Sequence, residues 1–522
     1  MTEYPNGDID SGLAYINNVW CYDPFVKRGN LTWVQPSSRI DSGGTVITDL
    51  IMAGKSRIEG SIIYTYAIGH TGRLYKIQSN DPTTFNPDYD NPVLLATLTS
   101  GSPTFTRGGF IDFFGSTERI YIGHDKGVTR IDFNGTNETA VSGTWTQDVP
   151  RPLKQFLGKL YIGNGTNIAE IDSTATVTTS TKLSPGFPTN SQVRDIDVTP
   201  AGNYLQMVVN TMALGDITSA SAIDIASTVN SESYIFDWNG TDTGYTAFQT
   251  FRSFSLTANT MFQNYQYAFG YDQYGSATFN PSEKIITSTQ QFAPLPNAVS
   301  SSGNLLGYAM PLYFTDHLEL TYSGFGSPDR STGQGFWSLF GQLATGDETD
   351  IVQVPFFAPI SNFGQGASNN GYTNNIFSTA KVYFSTLETS SSTTDYKLYK
   401  WNPVNIFAIT SNAFVDAFYQ TQTQLFSKKI TVKQVRVYGD AWVANNSFKI
   451  SLIDGPGTTN GTAMANGEYT FTAGSTLTVG NDYAWWDPQV APTYALGLGV
   501  TNLGSKNHTI KKVEIDYEIG GV

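Results

Sequence analysis

"RIYIGHDKGVTRID" occupies residues 119–132, and "KLYIGNGTNIAEID" occupies residues 159–172. At an offset of forty residues Tyr121 matches Tyr161, Gly123 matches Gly163, Ile131 matches Ile171 and Asp132 matches Asp172. Each copy sets two short apolar runs around a turn, "IYIG" then "VTRID" and "LYIG" then "IAEID", which is the grammar of a β-hairpin. Alternation with a period of two puts Ile120 and Ile122 on one face of their strand and Tyr121 on the other.

The same grammar appears earlier in "IYTYAIGHTGRLYKIQ" (63–78), with a turn at His70 to Gly72 followed by Leu74 and Ile77. Weaker echoes are "SYIFDWNGTDTGYTAF" from Ser233, "YQYAFGYDQYGSATF" from Tyr265, "LLGYAMPLYFTDHLELTYSG" from Leu305, and "AKVYFSTLE" with "DYKLYKW" ending at Trp401. Seven hairpins at a spacing of ~40 to 50 residues match propeller blades, because four short strands and their turns fill that length. A blade cannot bury both faces alone, and radial stacking on its neighbours solves the problem. The sequence therefore predicts an all-β chain with a β-propeller of about seven blades over residues 40–424. The N-terminal segment 1–39 contains the apolar stretch "LAYINNVWCYDPF" and is expected to supply a closing strand to the last blade. "NGT" recurs at Asn134, Asn164, Asn239 and Asn460, as suits hairpin tips, where Asn and Gly tolerate positive φ.

The texture changes at "KKITVKQVRVYG". Ile430, Val432, Val435 and Val437 alternate with polar residues, broken by one slip, and "NSFKISLID" and "HTIKKVEIDYEI" alternate likewise. Residues 425–522 hold eight basic and eight acidic side chains, so the whole formal charge of −14 lies on 1–424. The expectation for 425–522 is a C-terminal β-sandwich or jelly-roll module.

With a pI near 4.7, the chain is a poor match to the phosphates of nucleic acid, which call for Lys and Arg. One cysteine, Cys21, excludes an internal disulfide and a thiolate metal cluster and reads as a buried, inert thiol. The start "MTEYPNGDID" has no basic and apolar signal, and no run of about 18 apolar residues occurs, so export by a signal peptide and a membrane span are not expected.

No catalytic, cofactor-binding or metal-ligating set emerges, and the chain reads as a non-enzyme without cofactor. The four histidines, His70, His124, His317 and His508, show no short metal-ligand spacing. His70 and His124 fall at equivalent turn positions, which favours a turn role. "DKGVT" from Asp125 lacks the Ser and Trp of a sialidase Asp-box, Gly123 and Arg130 standing in their places. Asp195 with Asp197, Asp8 with Asp10, and "GDETD" ending at Asp350 bring carboxylates together, as glycoside hydrolysis needs, but proximity in sequence does not aim a pair at a sugar. Aromatic residues are the larger resource, with 9 Trp, 29 Tyr and 32 Phe; "GQGFWSLFG" and "DYAWWDP" suit a platform on which sugar faces stack, although core packing or a subunit contact is the favoured reading. Trp337, Phe363, Tyr372, Trp485 and Trp486 make up the candidate interaction surface, although the two adjacent tryptophans must point to opposite faces of a strand.

The hairpins "RIYIGHDKGVTRID" and "KLYIGNGTNIAEID", the single cysteine and the closing "HTIKKVEIDYEI" together resemble virion proteins of tailed bacteriophages, among them propeller-containing nozzle, hub and fibre-associated tail proteins. The resemblance implies a structural protein of the virion tail, assembled in the host cytoplasm as a symmetric homo-oligomer with other virion proteins as partners. A receptor- or glycan-binding adhesin on the same particle is the alternative, with a glycan depolymerase behind it.

Overall fold

The computed structural model describes the strands named below and most of the loops between them. The longer stretches outside it are 1–12, 41–46, 81–89, 216–222, 225–229, 282–289, 292–303, 325–334, 342–350, 355–374, 402–417 and 455–462. Side chains are described for 40–256 and 421–520 with short gaps, and for Tyr383 and Leu398. Among these residues the fold is all-β, and it divides into two units, 38–334 with 360–401, and 1–37 with 335–359 and 402–522.

The larger unit contains six four-stranded antiparallel sheets. Sheet A is Ile51–Glu59, Ile62–Gly69, Arg73–Gln78 and Asn91–Thr97. Sheet B is Phe110–Phe114, Arg119–His124, Gly127–Ile131 and Thr139–Ala140, and sheet C is Leu153–Phe156, Lys159–Asn164, Asn167–Ile171 and Val177–Thr179. Sheet D is Gln192–Val198, Leu205–Asn210, Glu232–Trp238 and Ala247–Arg252. Sheet E is Phe254–Phe262, Tyr265–Asp272, Ala277–Pro281 and Gln290–Gln291. Sheet F is Asn375–Ser378, Lys381–Ser390 and Thr393–Trp401, completed by Ser38–Arg39 from before sheet A. A hairpin of Gly307–Tyr313 and Leu318–Gly324 lies between E and F in sequence. The hairpin Gly335–Gly341 with Ile351–Val354 completes it to a seventh four-stranded sheet, although 335–359 is grouped with the other unit.

The two opening quotations are the second and third strands of B and C, in identical register: Ile120 opposes Ile131 and Tyr121 opposes Arg130, as Leu160 opposes Ile171 and Tyr161 opposes Glu170. Both faces of these strands are covered, since Ile120, Tyr121 and Ile122 are all buried. The cause is stacking. Tyr121 and Val128 of B pack with Leu160, Ile162 and Ala169 of C, while Tyr161 and Ile168 of C pack with Val193, Met207 and Trp238 of D. Val208 and Ile235 of D meet Leu256 of E, and Tyr383 and Leu398 of F meet Ile51, Ala67 and Tyr75 of A. The first strands of A, B, C, D and E stand against one another in that order, and the first strand of F stands against that of A. Each buried Ile, Leu or Phe in these layers contributes roughly 1.5–3 kcal/mol. The matched glycines mark close crossings of the chain. A Cβ on Gly163 would lie 2.9 Å from the Val193 side chain, and one on Gly123 would overlap the Arg151 carbonyl.

Apart from that hairpin, the other unit is one ten-stranded antiparallel sheet with two arms, joined by the long strand Gln424–Gly439. One arm holds Leu13–Asn17, Phe418–Thr421, Thr493–Asn502, Ser447–Ile453 and Ala463–Thr472, and the other holds Val19–Asp23, Lys27–Trp33, Thr509–Ile519 and Tyr483–Trp486. The sequence slip after Val432 is a register shift between Val432 and Gln434 that keeps Ile430, Val432, Val435 and Val437 buried. The apolar stretch 13–25 therefore does not close the last four-stranded sheet: its strands pair with Phe418–Thr421 and with Lys27–Trp33. Ser38–Arg39, at the end of the 1–39 segment, is the strand that joins sheet F. The boundary in the structure also falls at 402, where the sequence places it at 425, because the strand Phe418–Thr421 hydrogen-bonds to Thr493–Asn502.

A candidate binding face on the C-terminal strands

Polar side chains at the ends of the second strands are the first place to look for chemistry, and they are used to hold loops. In sheet A, the carboxylate comes from before the first strand: Asp49 accepts the N–H and hydroxyl of Thr71 (3.0 and 2.6 Å), just past the second strand, and pairs with His70. In B, the buried Asp125 accepts the N–H and hydroxyl of Thr106 (both 2.7 Å) and the N–H of Arg107 (2.9 Å). In C, Asn164 accepts the Thr146 N–H (2.9 Å) and donates to the carbonyls of Thr144 (3.1 Å) and Ser180 (2.9 Å). In D, Asn210 donates to the Ser255 hydroxyl (2.6 Å) and accepts the Met212 N–H (2.7 Å). Buried backbone groups in loops need such partners, which explains the recurrence.

His124 and His70 share this loop-holding zone at equivalent places. The His124 ring is buried, 3.2 Å from the Thr129 hydroxyl, and burial, aided by the Arg151 charge, pulls it down to about 4, so it is neutral at pH 7. Sequence reasoning missed Arg151. It is wholly buried, donates to the Gly163 carbonyl (3.1 Å) and Asn164 Oδ1 (2.8 Å), and sits 5.0 Å from the Trp145 ring. Burial lowers its guanidinium to about 10 against the opposing pull of Asp125. Its only sequence signal is its place, twelve residues before the repeat glycine whose carbonyl it binds. His317 and His508 lie outside the described residues.

The Asp195 and Asp197 pair is also committed to the scaffold. Asp197 forms an ion pair with Lys154 at 2.5 Å, and each carboxylate accepts the N–H of the residue after it. Lys154 continues a line of alternating charge across the first strands of A to D, in which Lys55 pairs with Asp112, and Asp112 accepts the Gln155 N–H at 3.2 Å. Burial opposes the charge on Lys154, but Asp197, then Asp112 and Asp195, overcome it and hold the amine above its ordinary value. Asp8, Asp10 and the "GDETD" segment lie outside the described residues, and no group of three or more metal-ligating side chains forms among the described ones.

Of the five candidate interaction residues, Phe363 and Tyr372 lie outside the described residues, and Trp337 is placed only as backbone in the strand Gly335–Gly341. Trp486 is buried and stacks on Tyr469, with ring centroids 5.3 Å apart and planes 14° from parallel. Trp485 points the other way and is 53% exposed.

Residues directly opposite one another on paired strands share a face. Trp485 opposes Arg436, which opposes Glu514; Tyr483 opposes Tyr438, which opposes Lys512; and Gln434 opposes Asp516. These rows form a grid of aromatic and charged groups across Tyr483–Trp486, Gln424–Gly439 and Thr509–Ile519. Arg436 donates to Gln434 Oε1 (2.7 Å) and Glu514 (3.3 Å) and pairs with Asp516. Glu514 also accepts the Tyr438 hydroxyl at 3.0 Å and pairs with Lys512, and these contacts, Lys512 first, hold its carboxyl below the usual range. Gln434 donates to Asp487 at 3.0 Å. The opposite face carries Val435, Val437, Ala484, Trp486 and Val513, all buried, so the strands are anchored from behind. Only the alternation was legible from sequence; the partners of Trp485 are 49 residues before it and 29 after it.

No family model matches the chain, and no curated protein matches it. Among solved structures it is similar to Raptor of Chaetomium thermophilum, at 9% identity and a TM-score of 0.41, over 68% of this chain and 28% of that one. The chain thus spans little more than a quarter of the length of that protein.

Proposed function

We propose that this protein is a structural component of a tailed-bacteriophage virion, placed in its tail, and that the larger unit is a seven-bladed propeller. Six sheets of four strands, stacked in chain order through their first strands, are six blades, and the hairpins 307–324 and 335–354 together supply the seventh. Ser38–Arg39, added to sheet F, is the clasp that fastens the end of such a ring to its beginning. The ten-stranded unit, with Trp486 on one arm stacked on Tyr469 of the other, is a β-sandwich attached to it.

The observation that carries the structural role is the use made of buried polarity. Asp49, Asp125, Asn164, Asn210 and Arg151 spend hydrogen bonds on loops and on neighbouring strands of the scaffold, which stiffens the ends of the sheets and suits a part that must keep its shape in an assembly. The resemblance of the repeated hairpins to tail proteins supplies the particle. The other virion proteins are its partners, and symmetric copies of the chain are its neighbours.

Mass spectrometry of gradient-purified particles tests this directly. Peptides of this chain should be found at a fixed stoichiometry to known tail proteins, and images along the ring axis should show seven lobes. A free, monomeric protein absent from particles overturns the assignment.

A further inference from the structure

We propose that the face carrying Trp485 is a binding site for an uncharged carbohydrate chain. The indole is the starting point. It is more than half exposed, and among the described residues it makes no ring contact and donates no hydrogen bond, so most of the indole is left open to a ligand. A large aromatic held open to water on a rigid strand is a surface waiting for an apolar plane.

Its surroundings decide which plane. Arg436 is fixed from three sides by Gln434, Glu514 and Asp516, and Glu514 is fixed by Arg436, Tyr438 and Lys512, so donors and acceptors are held in place before any ligand arrives. The positive charges of Arg436 and Lys512 are matched by Glu514 and Asp516, and Asp487 beside Gln434 adds one negative charge. A face so balanced has no excess cation for phosphate, sulfate or a polyanion. Glu514 and Asp516 are tied to Arg436 and Lys512, which leaves them poor ligands for a metal and Asp487 without a second acid to share one. A lipid surface would call for more than one open aromatic without charges beside it.

A sugar ring meets each demand. One side presents C–H groups that lie on an indole, and its rim presents hydroxyls that both donate to carboxylates and accept from guanidinium and amide groups. Three strands ~4.8 Å apart and rows ~6.7 Å apart make a flat face of about 10 by 13 Å, room for several linked rings in place of a single buried one. Tyr483 and Tyr438, with ring centroids 5.2 Å apart, extend the aromatic track by one row from Trp485.

The purified full chain is applied to an array of neutral and acidic oligosaccharides, and the strongest neutral ligand is titrated by calorimetry. Wild type should bind at least one neutral glycan, and Trp485→Ala should weaken it tenfold or more with an unchanged thermal midpoint. Tyr494→Ala, which removes an exposed aromatic outside this grid, should bind as wild type, and Arg436→Met should fall between. Binding to no neutral glycan above the Trp485→Ala background, binding only to acidic glycans, or full retention in Trp485→Ala each overturns the proposal. None of these readouts depends on particle membership, so failure here leaves the virion assignment to its own test.

Discussion

Arg39 lies opposite Tyr399, on the edge of a sheet whose other three strands begin at Asn375. The next residue, Ile40, donates its N–H to the Leu398 carbonyl at 3.0 Å and packs against the buried cluster of Ile47, Tyr75, Tyr383 and Leu398. A segment from before sheet A thus hides the edge of sheet F, which would otherwise be open to pairing with another chain. Ile40→Pro removes that donor and restrains φ. It should lower stability by about 1–3 kcal/mol, read as a lower denaturant midpoint, and should raise aggregation at the thermal transition. An unchanged midpoint would show that the clasp adds nothing to the fold.

Gly123 is held by space, because a Cβ there overlaps the Arg151 carbonyl, a backbone atom that cannot swing aside. Gly123→Ala should therefore cost roughly 1–3 kcal/mol, even though alanine ordinarily suits a strand better than glycine does. Chemical denaturation of the two proteins side by side measures the difference. A gain in stability would mean that the crossing segment relaxes.

Asp125 tests whether buried polarity is structural. Asp125→Ala leaves two backbone N–H groups and the Thr106 hydroxyl without their acceptor, a loss of about 2–4 kcal/mol, while Asp125→Asn keeps one acceptor oxygen and should lose less. Amide exchange at Thr106 and Arg107 should accelerate in both variants, most in alanine. Protection unchanged in Asp125→Ala would separate the carboxylate from the loop.

The hairpins were legible because their information is local: apolar residues on both pleat faces, a glycine at the crossing, and a turn between. The strand Gln424–Gly439 was equally readable, and its slip proved to be a bulge. "NGT" was right as a turn at Asn134 and Asn239, whose side chains accept the N–H two residues on at 3.0 Å. At Asn164 the same letters are again a hairpin tip, with Asn164 opposite Asn167 across Gly165 at φ 64°, and here the Asn side chain is buried among loop carbonyls, while Asn460 lies outside the described residues. What sequence could not supply is long-range pairing. The stretch 13–25 has the apolar character of a closing strand, and nothing within it says that Leu13–Asn17 will meet Phe418–Thr421. For the same reason the sequence said that Trp485 and Trp486 face opposite ways but not which of them is wet, and the neighbours Arg436 and Glu514 became visible only when three distant strands were set side by side.

His124 gives a pH dependence whose sign follows from its burial. The folded ring titrates at about 4 and the unfolded one near 6.5, so between those values the unfolded chain binds more protons and stability falls as pH is lowered. The contribution is intact above about pH 6.5, declines through that window, and reaches a loss on the order of 3 kcal/mol once pH passes below the folded value. His124→Gln retains a side-chain partner for the Thr129 hydroxyl and cannot take up a proton. Its unfolding free energy, measured in denaturant from pH 7 to 4.5, should be flatter than that of wild type by roughly one proton. Parallel curves for the two proteins would show that the ring is solvated in solution and that the loop around it opens more readily than the neighbouring Asp125 bonds to the Thr106 and Arg107 N–H groups suggest.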